Sequence, residues 1–97
     1  MITLEDFNVG YAQYLEEERY PVKYTAAQKR LWFIQISSCR YGWVWCVWEF
    51  GDDMDVKRER YFGTAQEALN DLLACNEPFV QRGLRAVFGI EPAEVGT

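Results

Sequence analysis

Residues 43–50 read Trp-Val-Trp-Cys-Val-Trp-Glu-Phe, a run that alternates like a β-strand yet is apolar on both faces. Successive strand side chains point to opposite sides of a sheet. Trp43, Trp45 and Val47 therefore share one face, and Val44, Cys46, Trp48 and Phe50 share the other. A strand of this kind is either covered on both sides or uses one side to bind something. The chain has 97 residues, which makes one domain around one core, residues 1–97 with a tail at 91–97. Covering both faces of a sheet with so short a chain requires helices on both sides. The tryptophans are then simply core, or one row is left for a partner.

The rest of the pattern predicts an α+β fold of order α-β-β-β-α-α. An opening helix is expected from Thr3, with Asp6 in an approximate capping box and Ile2 and Phe7 at staple spacing. Leu4, Phe7, Tyr11, Tyr14 and Leu15 continue its apolar stripe, and Pro21 ends it. Residues 21–29 fit either a single helical turn or an extended lead into the first strand. Residues 30–38, 43–50 and 56–62 read as three strands. The short turns 39–42 and 51–55 between them imply an antiparallel three-stranded meander. Thr64-Ala-Gln-Glu67 is a full capping box before the stripe Ala65, Ala68, Leu69, Leu72 and Leu73. Pro78 opens a second C-terminal helix, Val80, Leu84, Val87 and Phe88 line it, and Gly89 stops it. Sharing one sequence neighbourhood, these two helices should share one face of the sheet. The first helix either joins them or crosses to the other side.

Chemistry is conspicuous by what the sequence omits. The chain has no histidine, the commonest general base and metal ligand. Gly63-Thr64 lacks the spacing and the lysine of a phosphate loop. Asp52-Asp53-Met54-Asp55 lacks the downstream glutamate of a calcium loop. The expectation is a protein that is not an enzyme and needs no cofactor. Cys39, Cys46 and Cys75 are odd in number and without CxxC spacing, which suits reduced thiols in the cytoplasm. No stretch has the length and apolarity of a membrane span, and the N-terminus lacks a signal-peptide pattern.

Net charge is −5, so generic nucleic-acid binding is disfavoured and a protein target with a basic surface is favoured. The acids are densest at Glu16, Glu17 and Glu18 and at Asp52, Asp53 and Asp55. These carboxylates would steer the chain to a basic site, and Trp43 and Trp45 would hold it there. The same tryptophan row could instead meet a second copy in a homodimer.

Two resemblances bear on function. From residue 43 to residue 75 the order is strand, turn, strand, capped helix, with Tyr61-Phe62-Gly63-Thr64-Ala65-Gln66-Glu67-Ala68-Leu69 at the junction. This junction resembles the DNA-binding domains of plant ethylene-response factors and of tyrosine integrases. That resemblance implies a three-stranded sheet in the major groove, with Arg58 and Arg60 as the contacts and Arg40 as a third. The sequence departs from the pattern where such sheets present arginines, because here strand two presents tryptophans. In overall character the chain resembles small acidic phage-encoded inhibitors of the anti-CRISPR or DNA-mimic type. This second likeness implies a non-enzymatic inhibitor that occupies a nucleic-acid-handling complex.

Overall fold

A computed structural model describes residues 2–7, 23–29, 31–50 and 54–89, and at residues 23, 24, 54, 55 and 57 it describes the backbone only. The fold is α+β, an antiparallel sheet with two C-terminal helices. The strands are β1 (Lys23–Lys29), β2 (Trp32–Cys39), β3 (Gly42–Glu49) and β4 (Met54–Lys57), in spatial order β1-β2-β3-β4. The helices are α1 (Ala65–Ala74) and α2 (Pro78–Phe88).

Three details differ from the sequence reading. The sheet has four strands, because residues 23–29 run extended and every one of them pairs with β2, from Lys23↔Ser38 to Lys29↔Trp32. The described part of the opening helix is a single 3-10 turn, Leu4–Phe7; residues 8–20 of the expected helix lie outside the described residues. Its start follows the expected capping chemistry, since the Thr3 backbone N–H donates to Asp6 Oδ2 at 2.7 Å. The last strand begins earlier than expected and is shorter. β4 pairs in the register Cys46↔Lys57 to Glu49↔Met54, and the chain rejoins β3 only at an isolated bridge, Trp43↔Phe62. Residues 58–61 therefore stand opposite Val44 and Trp45 alone. Four residues against two is a bulge, which breaks the ladder and turns the strand away.

The core explains why both C-terminal helices sit on one face. Trp32, Ile34 and Ile36 of β2 and Trp43, Trp45 and Val47 of β3 turn towards α1 and α2. Ala68, Leu69 and Leu72 of α1 and Phe79, Val80 and Leu84 of α2 pack onto them, and Phe7 closes one end against Phe88, with ring centroids 5.3 Å apart. Thr64 caps α1 as its spacing predicts: its hydroxyl oxygen accepts the Glu67 N–H at 3.1 Å. Pro78 lies in the first turn of α2, and Gly89 ends it in the left-handed region at φ 70°.

Gly83 lets α2 come close. A Cβ at that position would fall 2.8 Å from Val47 Cγ1 and 2.9 Å from Trp32 Cε3. Glycine inside a helix costs about 1 kcal/mol relative to alanine. Here that cost is offset by the contact of α2 with the sheet, where Trp32 meets Phe79 at 5.0 Å between ring centroids.

Candidate functional site

The tryptophan row singled out from sequence is on the helix side. Trp45 is 0% exposed, and Trp43 is half-buried against the same core. The expectation that Trp45 faces a partner or a second copy is therefore corrected: α1 and the chain's own core cover Trp45. The physical reason is a polar anchor on α1. The Trp45 indole Nε1–H donates to Asp71 Oδ2 at 2.8 Å, so the ring is buried with its donor satisfied. The same carboxylate oxygen lies 3.2 Å from Arg58 Nε, and the Arg58 guanidinium lies 5.5 Å from the Trp45 ring centroid.

The other row forms an aromatic ladder on the opposite face. Phe33 and Trp48 are register partners with ring centroids 4.3 Å apart. Phe50 sits 6.0 Å from Phe33 and 6.3 Å from Trp48. Exposure increases along the ladder: Phe33 is buried, Trp48 is half-buried and Phe50 is 40% exposed. Beyond β2 the turn residue Leu31 is 57% exposed. The Phe50 N–H donates to the Leu31 carbonyl at 2.6 Å, so the two exposed apolar side chains are held at one end of the sheet.

The acidic groups are placed unequally. Glu16, Glu17 and Glu18 lie outside the described residues, as do Asp52 and Asp53. The backbone of Asp55 is in β4, paired with Trp48.

The opposite end carries features that the sequence reading missed. Beside the bulge at residues 58–61 lies a groove of about 580 Å³, lined by Gln35, Ser37, Val44, Trp45, Cys46, Arg58, Glu59 and Tyr61. Beside it Tyr41 and Tyr61 pair at 5.8 Å between ring centroids and are 63% and 50% exposed. The sequence did carry a signal for Tyr41. Cys39↔Gly42 closes the hairpin, so Arg40 and Tyr41 form a two-residue tip where a ring has little to pack against. Tyr61 becomes its neighbour only through the Trp43↔Phe62 bridge, which joins residues distant in sequence.

The arginines are engaged with side chains nearby. Arg58 is held by Asp71, the Arg60 guanidinium lies 5.1 Å from the Phe62 ring centroid, and Arg40 Nη2 donates to the Tyr41 hydroxyl at 2.8 Å. Among the described residues no group of three or more His, Cys, Asp or Glu side chains converges as a metal site would need. Cys39, Cys46 and Cys75 form no disulfide. No helix among the described residues is long and apolar enough to cross a membrane. No protein-family model, characterised protein or solved structure matches the chain.

Proposed function

We propose that this chain is a non-enzymatic protein-binding domain, a small acidic inhibitor of the anti-CRISPR or DNA-mimic type that occupies a basic surface of a nucleic-acid-handling complex in the cytoplasm. One observation carries the reading: the apolar side chains of Leu31 and Phe50 are exposed together at one end of the sheet, joined by the Phe50 N–H to Leu31 carbonyl bond. Apolar side chains in this setting lose water on contact and hold a complex. Clustered carboxylates attract a basic surface from a distance and set the encounter rate. The binding surface moves accordingly, from the Trp43/Trp45 row to the end of the sheet marked by Leu31, Trp48 and Phe50, and Asp52, Asp53 and Asp55, which follow Phe50 closely in sequence, are the acids proposed to steer it.

The alternative is a sheet-based DNA-binding module using Arg58 and Arg60. Such a module needs guanidinium groups free to reach phosphates and base edges. Arg58 is instead ion-paired with Asp71, and Arg60 stacks on Phe62, which favours the protein-binding reading.

The two parts of the proposed surface should act on different rate constants. With the captured target immobilised, changing Asp52, Asp53 and Asp55 to Asn should slow association by about tenfold at low salt. Added salt should shrink that difference. Phe50→Ala should act mainly by speeding dissociation. Association as fast as wild type at low salt, for this variant and for one with Glu16, Glu17 and Glu18 changed to Gln, would remove the steering role from the acids.

A further inference from the structure

The end of the sheet away from Leu31 and Phe50 carries a groove that the protein-binding surface does not use. Tyr61 and Glu59 line it together with Ser37 and Gln35. Tyr61 is exposed and meets the exposed Tyr41 on one side. Its backbone is held, because Phe62, the next residue, bonds to Trp43 through both its N–H and its carbonyl at 2.8 Å. The groove therefore offers an aromatic ring on a fixed backbone, a carboxylate and further oxygen acceptors. An exposed group that is already positioned loses less entropy on binding.

The charges at the groove are sorted unequally. The two cations that flank Glu59 in sequence are engaged on other groups. Arg58 Nε lies 3.2 Å from Asp71 Oδ2 on α1, and the Arg60 guanidinium lies 5.1 Å from the Phe62 ring centroid. Among the described residues Glu59 has no ion-pair partner. With Arg58 balanced by Asp71, the groove keeps the negative charge of Glu59, in a chain of net charge −5.

The neighbouring ring shows which cation suits this surface. The Arg40 guanidinium lies 4.9 Å from the Tyr41 ring centroid, and its Nη2 donates to the Tyr41 hydroxyl at 2.8 Å. A guanidinium is planar and weakly hydrated, stacks on aromatic faces, and presents a fork of N–H donors that matches a carboxylate. No cation among the described residues lies over the Tyr61 ring.

We propose that the groove binds an arginine side chain of a protein partner, with the guanidinium stacked on Tyr61 and paired with Glu59. Charge complementarity selects this occupant. An anion is repelled, and an apolar side chain would cover Glu59 without pairing it. The site lies at the opposite end of the sheet from Leu31 and Phe50 and is tested without the captured target, so it stands or falls separately from that surface.

The test is an NMR titration of the isotope-labelled whole chain with the peptide Gly-Arg-Gly, acetylated and amidated, at low salt. The arginine peptide should shift the Glu59 and Tyr61 signals. The same peptide with citrulline, which keeps the shape and loses the charge, should not, and the lysine peptide should bind more weakly than the arginine one. Glu59→Gln and Tyr61→Leu should each weaken binding about threefold, the size of one exposed ion pair or one exposed cation–ring contact. Tyr61→Phe keeps the ring and should bind as wild type. Added salt should weaken binding to wild type and change Glu59→Gln much less. Both side chains are exposed, so the variants should keep the fold, which circular dichroism checks; if one does not, the other and the citrulline peptide still decide. Lack of binding by the arginine peptide, binding as tight by the citrulline or lysine peptide, or unchanged binding in either folded variant would overturn the proposal.

Discussion

Replacing Trp45 with alanine should lower stability by about 3–5 kcal/mol, the range for removing a large aromatic from a packed core. Trp45 is 0% exposed and touches both the apolar core and a polar group on α1. Its loss leaves a cavity between β3 and α1 and takes away the Nε1–H donor to Asp71. Small domains are stable by only about 5–15 kcal/mol in total. In a domain of this size each kcal/mol shifts the melting temperature by about 4–8 °C, so melting should fall by at least about 12 °C. Phe50→Ala, by contrast, removes a side chain that is 40% exposed and should cost far less. Thermal and urea unfolding of both variants separate the covered tryptophan row from the exposed end of the aromatic ladder. Equal losses would mean that the faces have been assigned the wrong way round.

Gly42→Ala should cost about 2–4 kcal/mol, for two reasons that act together. Gly42 sits at φ 126°, where a side chain is strained by about 1–3 kcal/mol. A Cβ there would also lie 2.6 Å from the Phe62 carbonyl oxygen. That oxygen accepts the Trp43 N–H at 2.8 Å, so the backbone cannot retreat without breaking the bridge that closes the bulge. Gly89 is the internal control. It is also left-handed, at φ 70°, but nothing lies within 4 Å of the position of its Cβ. Gly89→Ala should therefore carry the conformational cost alone, about 1–2 kcal/mol. Urea midpoints for the two variants check the ordering, and a Gly89 variant that is the less stable would contradict it.

How much of this was legible in the sequence depended on whether the signal was local. The caps were local. Thr64 and Glu67 stand three residues apart, and Pro78 and Gly89 bracket α2, so both helices were readable with their ends. The alternation of β3 was also readable, and so was the placing of α1 and α2 on one face. Strand β1 was not settled, because Ala26 and Ala27 are adjacent and both buried, 1% and 2% exposed. Two small residues in succession give no alternation, and only pairing with β2 makes the segment a strand. The choice between the two tryptophan rows was illegible for a different reason. Trp45 finds its hydrogen-bond acceptor 26 residues later in the chain, and no local pattern announces that. The groove and the tyrosine pair depend on the Trp43↔Phe62 bridge, which is again long-range.

The central claim is that the exposed apolar end of the sheet, marked by Leu31 and Phe50, holds a protein partner. Capture from cells of the source, with wild type beside a Leu31→Ser/Phe50→Ser variant, tests it most directly. Both side chains are well exposed, so the double variant should keep the fold, and its circular dichroism and melting should match wild type. The account predicts that one basic nucleic-acid-handling protein is enriched by wild type and lost with the variant. A partner retained equally by both forms, with the variant folded, would contradict it.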